Sequence, residues 1–277
     1  MSMKEIIVDS IKYPFSNWKN FFLLGIILYF CEIPAIAYEL GLSVPIQFFL
    51  FFISVIFGLL VNGYLFRVLG TSLEDLSELP DFDNWEELFK DGIKVFIVCF
   101  VYSFPAILII LNYTLISDQF FLFLFEGIGY NPAIDFTSIT VDGMIWCING
   151  LLTTISVFFG GGHAMFGVLY MFIITPLLLI AITNMADYNG EFQEAFRIGE
   201  IVNEISMIGW IKMILWYITL LLVSFILLSV GFIIRCILSF INLDILQPLV
   251  FVFMMMFIFP FYYLFVAKSL ALLYISD

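Results

Sequence analysis

Eight carboxylates fall between Glu74 and Asp91, a stretch in which Lys90 is the only base. Oxygen ligands at this density could collect a hard divalent cation, form an acid–base pair, or offer a docking surface. The densest part is LPDFDNWEELFKDG, Leu79 to Gly92, where Asp81, Asp83, Glu86 and Glu87 are the candidates. Their spacing fits no EF-hand loop, and no His or Cys joins them. Asp83 and Glu86 instead form a D-x-x-E capping box, and Glu86 and Glu87 suit the positive end of a helix dipole. The expectation is a solvated, capped helix start without a metal, whose four acids are the place to look for a cytoplasmic partner.

The remaining polar candidates lie in apolar runs. Glu32 is the only acid of the first run and is followed by Pro34. A charge at the bilayer centre costs about 2.5–3.5 kcal/mol on insertion scales, so such residues mark either function or access to water. Arg235 falls at similar depth in a later run and could pair with Glu32. Asn62 and Asn184 suit hydrogen bonds between helices. His163 is the sole histidine, and Cys31, Cys99, Cys147 and Cys236 are isolated, so neither a zinc site nor a disulfide frame is indicated. The triple glycine Gly160–Gly162 lacks the Lys-Ser/Thr of a phosphate loop. No nucleophile, base and oxyanion donor come together, so no catalytic residue, no cofactor and no enzyme is expected.

The elements that must carry these residues follow from composition. The chain of 277 residues is 63% hydrophobic and 12% charged, about half the charged fraction of a soluble domain. Uncharged runs of about 20 residues match the hydrocarbon thickness of a bilayer. The net charge of −13 leaves no basic patch for nucleic acid. Hydropathy predicts six spans, near 18–37, 46–68, 92–113, 164–186, 209–234 and 248–272. Lys4, Lys12, Lys19, Arg67, Lys90, Lys94, Arg197, Lys212 and Lys268 fall on one side of them, and only Arg235 on the other. Positive-inside bias places both termini in the cytoplasm of a multi-pass cell-membrane protein. No signal-peptide cleavage pattern follows the first run, which is expected to be retained. Gly143–Phe159 is apolar but short for a crossing; a re-entrant or interfacial helix capped by Asp142 is expected, with a seventh span as the alternative.

The acidic stretch also repeats. FDNWEELFKDGI (Phe82–Ile93) aligns with FSNWKNFFLLGI (Phe15–Ile26) and, more weakly, with NGEFQEAFRIGE (Asn189–Glu200). The recurring residues are Trp18, Phe22 and Gly25; Trp85, Phe89 and Gly92; and Phe192, Phe196 and Gly199. Each copy precedes a predicted span on the cytoplasmic side. The unit is therefore a short aromatic interfacial helix followed by a helical hairpin, with repeats near 13–70, 80–187 and 188–274 and an elaborated outer loop near 114–163. Phe82, Trp85, Phe89, Ile93 and Phe96 make an apolar stripe suited to the membrane surface. The glycine ending each copy is expected to let the chain bend from lying on the membrane into crossing it.

YPFSNWKNFFLLGI, VNGYLFRVL leading to LPDFDNWEELFKDGIK, and MADYNGEFQEAFRIGEI together resemble the domain-of-unknown-function 4013 family. The resemblance implies an integral membrane protein of a mostly archaeal family and carries no activity with it. Leu115–Gly162 lies outside the resembling motifs. More loosely, the architecture is similar to membrane regions attached to some glycerophosphodiester phosphodiesterases, whose catalytic domain has no counterpart here.

The fold expected is all-α: a polytopic membrane helical bundle of six transmembrane helices in three hairpin repeats, with interfacial amphipathic helices, in one membrane domain. Two functions remain open. One is a non-enzymatic membrane module that organises lipid, envelope components or a partner protein. The other is a transporter or channel for a small or lipid-like solute. Membrane lipid is the expected partner, with a further protein partner unidentified. A polar, water-accessible cavity at mid-depth would favour transport, and a dry, Phe-filled centre the module.

Overall fold

The computed structural model describes residues 1–74, 76, 78–127, 162–241 and 246–276, with side chains except at 38, 39, 110–127, 162–166 and 247. The Gly143–Phe159 segment, Cys147 and the His163 side chain lie outside the described residues. Those described are helical or irregular, with no strand among them. Five helical stretches are long and apolar enough to cross a membrane: Val44–Leu73, Trp85–Ile109, Gly167–Asp187, Trp210–Phe240 and Pro248–Tyr274.

In chain order the helices are α1 (Met3–Lys12), α2 (Trp18–Cys31), α3 (Ile33–Glu39), α4 (Val44–Leu73), α5 (Trp85–Gly127) and α6 (Gly162–Asp187), then α7 (Ile198–Ile208), α8 (Trp210–Phe240), α9 (Gln247–Phe253) and α10 (Phe259–Tyr274). Short 3-10 turns occupy Tyr13–Phe15 and Phe192–Phe196, and one π turn, Met254–Ile258, joins α9 to α10. The chain divides into two compact units, Met1–Cys99 with Pro176–Asp277, and Phe100–Thr175.

The expected first span is not one helix. α2 ends after 14 residues, Glu32 adopts a non-helical backbone, and α3 resumes at Ile33. Pro34 lacks the N–H that would carry the α2 ladder onward, and its ring clashes with the carbonyl four residues earlier, so the break falls just ahead of that proline while Pro34 itself sits in the first turn of α3. At 1.5 Å per residue α2 alone reaches only about 21 Å, short of the hydrocarbon core. Pro105 and Pro176, by contrast, sit inside α5 and α6. Pro260 follows the π turn, whose widened hydrogen-bond register lies in the turn just before the missing donor.

In the first unit, α2, α4 and α10 pack around Phe21, Leu24, Ile27, Tyr64, Leu88 and Leu264, all buried. The outer faces of α4 and α8 remain apolar and open: Phe49 is 65% and Phe225 72% exposed. A face of this kind is at home in hydrocarbon and a liability in water. In the second unit, the Tyr170 hydroxyl of α6 donates to the Tyr102 carbonyl of α5 at 3.1 Å.

The glycines of the first two aligned copies do not bend the chain. Gly25 and Gly92 lie within unbroken helices, α2 and α5. A Cβ on Gly92 would come 1.9 Å from the Leu59 carbonyl oxygen, and one on Gly63 would come 1.8 Å from that of Leu88. The two glycines therefore mark a backbone-to-backbone crossing of α4 and α5, the use of small residues common between membrane helices. Gly25 meets the π turn in the same way, with a Cβ reaching 3.0 Å from Met256 Cα.

Candidate functional site

Among the described residues, the polar candidates of the sequence gather at two places. The first is the acidic loop before α5, which folds back over the ends of α2 and α4. Tyr64 and Arg67 stand one helical turn apart on α4 and both face the loop. The Tyr64 hydroxyl donates to the Pro80 carbonyl at 3.0 Å, and its ring stacks on Phe82 at 3.7 Å between centroids. Arg67 donates to the carbonyls of Asp81 and Asp83 at 3.1 and 3.0 Å, and pairs with the Asp83 carboxylate and, at 3.5 Å, with Glu87. From α2, Asn20 donates to the Pro80 carbonyl and to Asp81 Oδ1, both at 3.0 Å. The Leu79 amide donates to Ser16 Oγ and the Tyr13 hydroxyl to the Glu78 carbonyl.

This changes the reading of the acids. Asp81 is engaged by Asn20, Asp83 and Glu87 by Arg67, and Glu86 by Lys90 at 2.7 Å. The expected capping box is replaced: Asn84, at φ +48°, precedes α5, its carbonyl accepting from the Glu87 and Leu88 amides, while Asp83 turns to Arg67. An arginine offers a fork of donors that a helix end cannot match, so it takes the carboxylate. Among the described residues, no group of three or more His, Cys, Asp or Glu is placed to hold a metal. Sequence reasoning missed Asn20, Tyr64 and Arg67. Their signal was modest: polar side chains at the ends of apolar helices, with Tyr64 and Arg67 three residues apart.

The second place is the middle of the bundle. Glu32, at the α2–α3 break, lines a cavity of about 250 Å³ with Asn62 and Tyr263. Arg235 lines a separate cavity of about 290 Å³. Met255 and Phe259 border both, and no ion pair joins Glu32 to Arg235. The pairing expected from depth is therefore not made; apolar side chains of the π turn and α10 stand at the wall between the two groups. Asn184 does join elements. It is 1% exposed, donates to the Glu194 carbonyl at 3.0 Å and accepts from the Tyr274 hydroxyl at 3.2 Å. Asn184→Leu leaves the Glu194 carbonyl with only the longer Arg197 amide bond at 3.4 Å and takes the acceptor from the Tyr274 hydroxyl, and is expected to cost about 1–3 kcal/mol, read as a lowered Tm in detergent. Tyr274→Phe, which spares that carbonyl, costs less.

The aligned motifs occupy different settings. Trp18 and Trp85 open α2 and α5 and are 51% and 46% exposed, while Phe22 and Phe89 are half-buried. The α5 face turned inward is Leu88, Gly92 and Val95, and the aromatic stripe of Trp85 and Phe96 is left outside. In the third segment, Phe192 and Phe196 form a 3-10 turn with ring centroids 5.1 Å apart, and Gly199 is exposed in the first turn of α7. α7 buries Ile201, Ile205 and Ile208, and the long apolar helix begins only after Gly209, at φ +93°.

The family described as "Protein of unknown function (DUF4013)" matches residues 46–243, well over half of the chain. The chain belongs to the DUF4013 family. The DUF4013 match runs through Leu115–Gly162, which the sequence motifs left out, and omits Phe15–Ile26, which helped to carry the resemblance. An uncharacterized protein of Methanocaldococcus jannaschii is 33% identical over 93 residues, which make up 32% of this chain and 33% of that protein. The chain thus spans about a third of that relative's length. No solved structure matches.

Proposed function

We propose that this DUF4013 chain is a non-enzymatic module of the cell membrane that engages lipid, built as one membrane domain. The observation that carries this reading is the distribution of packing. The centre of the first unit is filled by Phe21, Leu24, Tyr64 and Leu264, while the larger polar constellation sits at the end of the bundle that holds α1 and the acidic loop.

In this reading α2 and α3 together make a sixth crossing, and both termini lie in the cytoplasm with the lysines that precede Trp18. The repeat reading is supported by the way long helices begin. Trp18, Trp85 and Trp210 each open an apolar helix, each is about half exposed, and each follows Asn17, Asn84 or Gly209. The third unit then starts at Trp210 instead of within Asn189–Glu200, with α7 as its interfacial helix. Half-exposed tryptophans at helix starts suit the headgroup level. Single cysteines placed at Leu42 and Glu78 test the topology: a membrane-impermeant thiol reagent should reach only Leu42→Cys from outside. Labelling of Glu78→Cys from outside overturns it.

The module reading is tested by purification in mild detergent with mass spectrometry of what co-purifies. A specific lipid in stoichiometric amount is expected; random lipid without a partner overturns it. The cavity of Glu32, Asn62 and Tyr263 supports the second reading, a transporter of a small solute. Glu32→Gln should leave yield and Tm unchanged in the module. A loss of solute flux in vesicles, with yield intact, would select the transporter.

A further inference from the structure

We propose that the cavity of Glu32, Asn62 and Tyr263 binds a small primary ammonium ion, which names the solute class of the transporter reading and rests on it. The three polar side chains come from three elements: the α2–α3 break, α4 and α10. Among the described residues, no hydrogen bond or ion pair engages the Glu32 carboxylate, the Asn62 amide or the Tyr263 hydroxyl. Asn20, Tyr64, Arg67 and Asn184, by contrast, all find partners within the protein.

The backbone also opens here. Glu32 stands at φ −94° and ψ 3°, outside the helical region, between α2 and α3. Irregular backbone at membrane depth persists where it lines a cavity, and interrupted helices of this kind hold solutes in transporters. From Trp18 to the break α2 rises about 21 Å, so the carboxylate falls within the hydrocarbon span, where an unpaired charge is costly. A bound cation offsets that cost. Arg235 does not, since it lines the neighbouring cavity, with Met255 and Phe259 at the wall between them.

The lining selects the kind of cation. A primary ammonium carries three N–H donors, and the cavity presents three acceptors in the carboxylate, the amide oxygen and the phenol oxygen. One carboxylate matches one positive charge. A divalent metal ion calls for more oxygen ligands, and the described residues gather no group of three or more His, Cys, Asp or Glu. Most of the remaining wall is Leu28, Val61, Leu65, Met255 and Phe259, which suits a short alkyl chain and offers a hydrated ion nothing. Phe259 and Tyr263 stand one turn apart on α10 with ring centroids 6.4 Å apart, so two aromatic rings border the space, as cation–π attraction requires. At about 250 Å³ the cavity exceeds a single water's share of roughly 30 Å³ several-fold, room for an amine of a few carbons.

The test uses the full chain in detergent at neutral pH and equilibrium binding of radiolabelled butylammonium. The wild type should bind it saturably. Tetramethylammonium, which has no N–H, and neutral butanol should each compete about ten-fold more weakly or worse than unlabelled butylammonium. Glu32→Gln, which keeps size and shape, should weaken binding about ten-fold or more, as loss of a charge-assisted bond requires. Gly58→Leu is the second variant. Gly58 lines the cavity and nothing stands within 4 Å of the place its Cβ would take, so the added side chain starts in open space and should block the ligand. Equal binding by wild type and both variants overturns the site. Equal competition by butanol overturns the cation, and saturable sodium binding without butylammonium binding overturns the organic ligand. Charge movement in proteoliposomes separates the site from transport. Glu32-dependent binding without current on a butylammonium jump keeps the site and overturns the transporter reading. Current on addition of another solute, without butylammonium binding, overturns the site and leaves that reading intact.

Discussion

Gly92→Ala should collapse the folded population, seen as a lowered Tm and loss of a monodisperse peak on size exclusion in detergent. The added methyl would lie 1.9 Å from the Leu59 carbonyl oxygen and 3.2 Å from the Gly63 amide, both backbone atoms. A side chain can change rotamer, but a helix backbone moves only by shifting the whole crossing of α4 and α5. Overpacking costs about 1–3 kcal/mol where side chains can adjust, and this contact leaves them no part in the adjustment, so the upper end or more is expected. Gly63→Ala should have the same effect, since its methyl would strike the Leu88 carbonyl. The double variant should cost less than the sum, because the first substitution already separates the helices. Gly70→Ala is the control. It lies in the same helix with nothing within 4 Å, and replacing a helical glycine there should stabilise by about 0.5–1 kcal/mol.

Arg67→Ala should release the loop 78–84 without unfolding the bundle. The side chain is 17% exposed and serves two carbonyls and two carboxylates, so its removal strips the loop of three contacts and α5 of one. The carboxylates are 68% and 64% exposed, and solvent screens their share; the carbonyl bonds carry most of the effect. A local loss of about 2–3 kcal/mol is expected, read as faster amide exchange or proteolysis between Glu78 and Trp85. Tyr64→Phe keeps the stack on Phe82 and loses one hydrogen bond, so about 1 kcal/mol is expected. Arg67→Lys should not rescue, because one ammonium cannot span both carbonyls and the carboxylates. A loop equally protected in Arg67→Ala would show that Asn20 and Tyr64 suffice to hold it.

The comparison of sequence and structure turns on particular residues. The run from Val44 to Leu73 announces a long helix because each residue's hydropathy adds within one window, whatever its neighbours in space. The first span misled for a related reason: hydropathy sums across Glu32, while the helix is interrupted there, just ahead of Pro34. The acids of Leu79–Gly92 were correctly placed in a loop and at a helix start. Their partners were invisible, because Arg67 and Asn20 lie 16 and 61 residues away from the carboxylates they meet.

Composition and periodicity alone determined that this chain is helical and that its helices reach membrane length, and its local motifs carried the resemblance to DUF4013, since these depend on residues near one another along the chain. Only the tertiary structure decided what the recurring glycines do and where the charges go. Gly92 permits a bend or a close crossing equally well until a second helix is set against it. Likewise Glu32, Asn62 and Tyr263 line one cavity only when α2, α4 and α10 pack together, a contact fixed by helix register and crossing and written in no local pattern.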